Sequence, residues 1–225
     1  MQSPLLTKIP GIHHGFGTRD EPIPEPLLKH WNARPQWKQV HGIQTALVST
    51  AQEACGEVDI LMTRQPEIPI AVMTADCVPI IIAHQSGHAA AVIHAGWRGT
   101  RARITQQFWQ LLEGQGENPK NWVAAIGPAI GPCCYQVSEE LIHDFQAEFH
   151  DCTLQHFNPQ PRILDLQALH FELLTQMGFA AIDLIRACTR CSTSPLFCSY
   201  RRGDHGIRQY SGVMIAQSAL NETIS

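Results

Sequence analysis

The stretch from residue 70 to residue 100 constrains the fold more than any other part of this chain. It holds three short apolar runs, each closed by turn residues, at positions 70–74, 79–83 and 88–94. Continuous apolar runs of this length are typical of strands that are buried on both faces of a sheet. The sequence therefore predicts an α/β fold.

Reactive side chains stand where these runs end. Cys77 follows the first run and His94 closes the third. Ligands usually bind where strands end in an open α/β sheet, so we expect these two side chains to meet. Together with His41, which lies beside Gly42 in an earlier turn, they form a ligand set for Zn²⁺. Three protein ligands leave a fourth position open, as in catalytic zinc sites, although a lone histidine is more often a hydrogen-bonded structural residue.

Composition limits the classes of protein to consider. A chain of 225 residues with 44% hydrophobic residues can bury one sizeable core, which favours one domain over two. A net charge of −4 without a basic run argues against nucleic acid or an anionic membrane as the main partner. No stretch has the ~18 apolar residues of a membrane span, and the N-terminus lacks a signal-peptide pattern. We therefore expect a cytoplasmic protein whose eight cysteines stay reduced.

A turn suited to an anion follows the third run. Residues 96–99, GWRG, lead into a helix predicted over 100–113. Such a turn presents free backbone N–H groups at a helix start, and Arg98 adds a positive charge. Gly96 and Arg98 are thus candidates for binding a phosphate or carboxylate, although a tight turn with a packed Trp97 would explain the same residues. Arg201, in the dense cationic cluster near the end of the chain, is a further candidate.

Asp59 is the one charged residue in the strand-like run 58–63. A carboxylate there either caps a turn or holds a ligand histidine by its second ring nitrogen. We group Asp59 with Gly96, Arg98 and Arg201 as the residues expected at the substrate.

The remaining cysteines give a weaker signal. Cys188 and Cys191 form a C-x-x-C pair, which is either redox-active or half of a zinc site. No second C-x-x-C or H-x-x-H pair in the sequence completes a structural zinc motif, so we predict that these two cysteines and Cys198 are not catalytic. Adjacent cysteines rarely bridge each other without strain. We therefore predict that Cys133 and Cys134 are free and packed.

Four motifs in order resemble one known family. They are QVHG at 39–42, TADCVP at 74–79, HAGWRG at 94–99 and GPCCY at 131–135. Together they closely resemble the YfiH/laccase-domain family, which includes FAMIN-like purine nucleoside phosphorylases and was formerly described as multicopper polyphenol oxidases. The similarity extends from HGFGTR at 14–19 to the tail. This chain departs from the family pattern at residues 197–204, which read FCSYRRGD, whereas a sequence similar to FSYRRDG is usual in the family.

The resemblance implies a single αβα sandwich domain around a mixed central sheet, spanning residues 1–225. It also implies a catalytic zinc site at His41, Cys77 and His94. The implied substrates are purine nucleosides and phosphate: phosphorolysis of adenosine, inosine and methylthioadenosine, and deamination of adenosine. The oligomeric state is not fixed by the sequence.

Other activities remain open. Family members have also been described as copper-dependent polyphenol oxidases and as peptidoglycan-editing amidases. Copper oxidation of phenols normally needs many clustered histidines, and among the twelve histidines only His13 and His14 are adjacent. An amidase or deamidase with Cys77 as nucleophile and a histidine as base is the stronger alternative. A third reading is a zinc-stabilised binding module, in which a fourth protein ligand would close the metal site.

Overall fold

The computed structural model of this chain describes residues 1–194 and 196–217. The strands found in these residues are β1 (Ile12–Phe16), β2 (Gln36–Lys38), β3 (Thr45–Val48), β4 (Ala54–Glu57), β5 (Ile60–Thr63), β6 (Ile70–Thr74), β7 (Val78–His84), β8 (Ala90–Ala95), β9 (Trp122–Ile126), β10 (Ala181–Leu184) and β11 (Gln209–Ile215). The α-helices are α1 (Trp97–Arg101), α2 (Ile104–Glu113), α3 (Glu139–Glu148), α4 (Leu154–Phe157) and α5 (Leu166–Gln176). Short 3₁₀ helices cover Leu6–Lys8, Glu25–Ala33, Pro119–Asn121 and Tyr200–Arg202.

A six-stranded sheet forms the centre, in the order β10-β9-β7-β8-β5-β3. The pairs β10/β9 and β3/β5 are parallel and the other three pairs are antiparallel. The predicted α/β fold with a mixed central sheet is therefore confirmed. The strands β1, β11 and β6 form a separate antiparallel sheet, and β2 pairs with β4.

Alternating side chains of the central strands fill two separate cores. Ile80 and Ile82 of β7 pack in one core with α2, α3 and α5, whereas Ile81 packs on the other face against β1, β6 and β11. The period of two along a strand explains this division, because neighbouring side chains point to opposite faces. One face of the central sheet is thus covered by helices and the other by the three-stranded sheet. The 3₁₀ helix Glu25–Ala33 packs outside that sheet through Leu27 and Trp31.

The helix predicted over 100–113 is two helices. The first already begins at Trp97, and the chain breaks at Arg103, whose φ of 59° is left-handed. From this bend the Arg103 guanidinium donates to Glu148 Oε1 over 2.5 Å and lies over the ring of Phe149. The ion pair and the cation–π contact offset the backbone strain of this residue. The sequence pattern could not show them, because both partners lie on or next to α3.

The later helices begin at side chains that cap them. Ser138 accepts a hydrogen bond from Leu141 N at the start of α3, and Asp165 accepts one from Ala168 N at the start of α5. That all 225 residues form one domain stays a prediction. No helix in the described part of the chain is both long and apolar enough to cross a membrane.

His170 ties three helices together. It lies on α5 and is 1% exposed, with Nε2 at 2.9 Å from Thr100 Oγ1 and Nδ1 at 2.9 Å from Thr105 Oγ1. Burial lowers the pKa of His170 from 6.5 to about 3. In the unfolded chain this histidine becomes protonated below pH 6.5, whereas in the folded protein it becomes protonated only near pH 3. The free energy of unfolding therefore decreases as the pH falls through this range.

We expect His170→Gln to reduce this acid sensitivity. The histidine should lower the free energy of unfolding by about 2 kcal/mol between pH 7.5 and pH 5, at 1.36 kcal/mol per pKa unit. Urea unfolding at both pH values measures the difference, and the variant should lose correspondingly less than the wild type. His143→Gln, at an exposed position of α3, is the control. A variant with the same pH dependence as the wild type would contradict the assignment.

Candidate functional site

Three side chains that could bind a metal ion converge at one edge of the central sheet. Cys77 precedes β7, and the antiparallel register places Pro79 opposite His94 of β8. His41 approaches from the connection between β2 and β3. One ligand atom of each residue lies within 4.8 Å of those of the other two. The structure thus brings together the three residues that the sequence singled out.

Asp59 lies directly behind this group. Its Oδ1 is 2.7 Å from His94 Nδ1, and its two carboxylate oxygens also accept hydrogen bonds from the backbone N–H groups of Val40, His41 and Gly42 at 2.7–3.2 Å. Burial raises the pKa of the Asp59 carboxyl, but the hydrogen bonds from His94 and the backbone outweigh it and hold the pKa below its usual value. The grouping of Asp59 with substrate-binding residues is therefore corrected: it is 1% exposed, does not line the cavity and orients a histidine instead.

The thiol and the buried histidine influence each other's charge. Burial raises the pKa of Cys77, but the charge and hydrogen bonds of His94 and His41 outweigh it and lower the pKa to about 6. Burial lowers the pKa of His94, but the charge of Cys77 and the hydrogen bond to Asp59 raise it to about 9. The arrangement therefore favours a thiolate at neutral pH, which is the form that binds metals and attacks electrophiles.

The backbone around these residues is strained and closely packed. His41 has a φ of 60° and Asp76, next to Cys77, has a φ of 89°. Non-glycine residues in this region are held there by their surroundings, often at functional sites. A Cβ atom at Gly96 would lie 3.0 Å from both Cys77 Sγ and His41 Cδ2. Only glycine leaves these donors in place, so the group fits a metal ion in both its chemistry and its packing.

A cavity of about 800 Å³ opens in front of the three residues. Aromatic, apolar and cationic side chains line it. Besides His41, Cys77, His94 and Asp76 they include Trp37, Lys38, Gln39, Met73, Trp97, Arg98, Tyr135, Val137, Leu141, Tyr200, Arg201 and Arg208. Burial raises the pKa of Tyr135 to about 12, so its phenol stays neutral. Tyr135 closes the GPCCY motif, but the pattern of that motif indicates no role for its phenol.

The arginines of the cavity are placed by aromatic rings. The Arg98 guanidinium lies 4.4 Å from the Trp97 ring centroid, and that of Arg201 lies 5.1 Å from Tyr135. The one carboxylate in the lining, Asp76, is engaged by Thr189 Oγ1 at 2.6 Å and by the backbone N–H of Arg201 at 2.8 Å. The cavity therefore presents net positive charge, which suits an anion.

The role predicted for Gly96 needs correction. The helix behind it, α1, has five residues, and the longer α2 begins only at Ile104. A single turn contributes little macrodipole, and Gly96 does not line the cavity. Its observed contribution is the space that it leaves beside Cys77 and His41.

The prediction that the C-x-x-C pair lacks completing partners is wrong. The Sγ atoms of Cys133, Cys134, Cys188 and Cys191 lie within 4.8 Å of one another. Cys133 and Cys134 are free, as predicted, but Cys133 is exposed and not packed. Both cysteines lie close to a segment more than fifty positions away. Cys198 is buried elsewhere and does not belong to this group.

Comparison with known proteins agrees with the sequence motifs. A family model described as multi-copper polyphenol oxidoreductase laccase matches residues 27–218. The chain is 32% identical over 190 residues to adenosine deaminase RL5 from an unknown prokaryotic organism, covering 78% of this chain and 72% of that protein. It is 31% identical to purine nucleoside phosphorylase YfiH of Escherichia coli K12, covering 76% and 69%, respectively. It is 32% identical to a purine nucleoside phosphorylase of Bacteroides thetaiotaomicron, of which the match covers 63%.

Solved structures show the same fold. YlmD from Geobacillus stearothermophilus superposes with a TM-score of 0.79 at 24% identity, covering 93% of each chain. YfiH from Bacillus licheniformis gives a TM-score of 0.75 at 23% identity, covering 91% of this chain and 92% of that one. At these identities the likeness concerns the fold alone.

We expect Asp59→Asn to destabilise the protein. An amide has one acceptor oxygen where the carboxylate accepts four hydrogen bonds, so buried donors lose their partners. The expected loss is at least about 2 kcal/mol in the free energy of unfolding, measured by urea denaturation. Asp144→Asn, which removes an exposed charge paired with Arg101, is the matched control and should change stability by less than about 1 kcal/mol. Equal effects of the two substitutions would contradict the role of Asp59.

Proposed function

We propose that this chain, which belongs to the multi-copper polyphenol oxidoreductase laccase family, is a zinc-dependent purine nucleoside enzyme. The matching family model and the similarity to YfiH of Escherichia coli confirm the resemblance to the YfiH/laccase-domain family. The proposed reactions are phosphorolysis of adenosine, inosine and methylthioadenosine and deamination of adenosine. Relatives named purine nucleoside phosphorylase and adenosine deaminase, at 31–32% identity, support this choice.

The cavity is the main support for this proposal, because it combines three features that the reaction needs. Its volume of about 800 Å³ is that of a small-molecule site. Aromatic side chains at its wall offer surfaces on which a purine base can stack. Arg98 and Arg201 supply positive charge for phosphate beside His41, Cys77 and His94. No other side-chain group in the described residues combines a cavity of this kind with that donor set.

His41, Cys77 and His94 are the proposed zinc ligands and the catalytic centre. A Zn²⁺ ion bound there supplies Lewis-acid chemistry at neutral pH. Asp59 fixes the ring of His94 so that its Nε2 faces the other two donors. With three protein ligands the site keeps an open position for substrate, which distinguishes it from the closed site of a zinc-stabilised binding module.

Arginine positioning explains how phosphate would be held for attack. The guanidiniums of Arg98 and Arg201 rest against Trp97 and Tyr135 and lose little freedom when an anion binds. In phosphorolysis a phosphate oxygen forms a bond to the anomeric carbon of the ribose while the glycosidic C–N bond breaks. The electron pair of that bond leaves with the base. Holding the two reactants in line removes much of the entropic barrier to such a step.

A second candidate rests on one specific contact pattern. Cys77, His94 and Asp59 follow the order of nucleophile, base and orienting carboxylate that cysteine amidases use. An amidase or deamidase, for example in peptidoglycan editing, is therefore the alternative. Copper-dependent polyphenol oxidation has less support, since the donor groups found in the described residues hold at most two histidines.

Metal analysis tests the zinc assignment. Relative to the wild type, Cys77→Ala and Gly96→Ala should each lower the Zn²⁺ content by about one equivalent per chain, the first by removing a donor and the second by displacing two. Mass spectrometric metal analysis after gel filtration measures the content. Gly42→Ala is the matched control, because the added methyl meets only ordinary contacts of 3.5 and 3.6 Å. Full retention of zinc by the Cys77 variant would exclude the assignment.

Phosphate dependence separates the two enzyme classes. Inosine cleavage should require phosphate and yield ribose-1-phosphate and hypoxanthine. Arg98→Ala should raise the phosphate concentration for half-maximal rate about ten- to a hundred-fold, since a charge-assisted contact contributes about 1.5–3 kcal/mol. Deamination of adenosine uses water and should change less. Arg101→Ala, on the same helix but paired with Asp144 outside the cavity, should leave both reactions unchanged.

A different result would identify the protein as an amidase. An amidase would ignore phosphate and form a thioester on Cys77 with an amide substrate. Detection of that thioester, with no nucleoside turnover at any phosphate concentration, would replace the proposed function by the alternative.

A further inference from the structure

Four thiols from two distant segments meet outside the cavity. The Sγ atoms of Cys133, Cys134, Cys188 and Cys191 all lie within 4.8 Å of one another, and those of Cys133 and Cys191 are 3.6 Å apart. Zn–S bonds of about 2.3 Å in a tetrahedron place neighbouring sulfurs about 3.8 Å apart. The spacing of this thiol cluster therefore matches a metal site without large movement of the chain.

Main-chain hydrogen bonds hold the segments around residues 129–135 and 188–191 together. Thr189 N donates to Ala129 O over 2.9 Å, and Gly131 N donates to Cys188 Sγ over 3.3 Å. Gly131 O accepts from Cys134 N and from Tyr135 N, which closes the turn that carries the adjacent cysteines. The cluster is thus fixed by main-chain contacts that do not depend on the thiols of Cys133 and Cys134.

A guanidinium supports the C-x-x-C turn from the other side. Arg202 Nη1 donates to Thr189 O over 3.1 Å and to Arg190 O over 3.2 Å, the carbonyls of the two residues between the cysteines. The Cys188 sulfur accepts hydrogen bonds from the backbone N–H groups of Gly131, Cys191 and Arg190. Backbone N–H groups directed at a sulfur stabilise the thiolate that metals bind.

We propose that Cys133, Cys134, Cys188 and Cys191 bind one Zn²⁺ ion in a closed four-thiolate site, separate from the centre at His41, Cys77 and His94. On binding, the four thiols release their protons to solvent and each sulfur forms one bond to the metal. Cys133 and Cys191 are exposed, which gives the ion a path of entry. A disulfide between these two would leave the other two thiols without a function that explains their convergence.

Four protein ligands leave no open position, so the site is structural. It would fasten the turn at 131–135, which places Tyr135 in the cavity wall, to the turn at 188–191. That second turn reaches the same wall through Thr189, whose Oγ1 donates to Asp76. The metal would thus stabilise the part of the wall that holds Tyr135, the aromatic partner of Arg201, without touching the substrate.

Cobalt substitution of the full-length protein tests the proposal. The protein is reduced, stripped with a chelator and titrated with Co²⁺ alone, and thiolate-to-metal charge transfer is followed in the near ultraviolet. Wild type should bind about two equivalents. Cys77→Ser should keep one equivalent and most of the charge-transfer intensity, since four thiolates remain on that ion. Cys133→Ser/Cys191→Ser should also keep one equivalent but lose most of that intensity.

Controls make every outcome informative. Cys152→Ser removes a thiol outside both groups and should match the wild type in stoichiometry and spectrum. Circular dichroism checks folding of each variant, and the Cys77→Ser protein keeps the whole cluster if the double variant fails to fold. In Cys77→Ser, Co²⁺ or Zn²⁺ should also raise the melting temperature. The proposal is overturned if reduced Cys77→Ser binds no metal, or if its native form contains the four cysteines as disulfides that persist when Zn²⁺ is supplied during expression.

Discussion

One buried carboxylate organises the edge of the sheet on which the candidate site is built. Asp59 directly precedes β5, accepts a hydrogen bond from His94 and gathers three consecutive backbone N–H groups around His41. Its own backbone oxygen accepts from His94 N over 2.8 Å. Two of the three candidate metal ligands are therefore positioned by a single side chain. Because the Asp59 side chain is buried, water has little access to the carboxylate oxygens that accept these hydrogen bonds.

The opposite wall depends on Asp76 in the same way. Its left-handed backbone turns the chain between β6 and β7, so that Cys77 faces the histidines. Its carboxylate holds Thr189 and the backbone of Arg201, and its carbonyl accepts from Ile130 N over 2.9 Å. The strain of one residue is thus offset by contacts to three segments. The turns of the thiol cluster belong to two of these segments, which places a structural metal where the wall needs support.

Local patterns predicted much of this arrangement. Apolar runs gave the strands β6, β7 and β8, and side chains at strand ends gave His94 and Cys77. These features depend on neighbours in sequence, as do the motifs that carry the family resemblance. The thiol cluster was missed because its cysteine pairs lie far apart in sequence and meet only through the bridge of Ala129 to Cys188. The sequence left open whether Asp59 caps a turn or holds a histidine by its second ring nitrogen, and its carboxylate does both.

Two thiolate-containing sites in one chain change how its metal content is interpreted. The centre at His41, Cys77 and His94 offers mixed nitrogen and sulfur donors with an open position, whereas the cluster offers four sulfurs and no open position. Soft thiolates select Cu(I) as well as zinc. Copper found in the whole protein would therefore report on the cluster as well as on the cavity, and the cluster lies outside the cavity and offers no position for a phenol or oxygen. Copper content alone thus gives no support to phenol oxidation, and only metal bound after the cluster has been removed reports on the cavity.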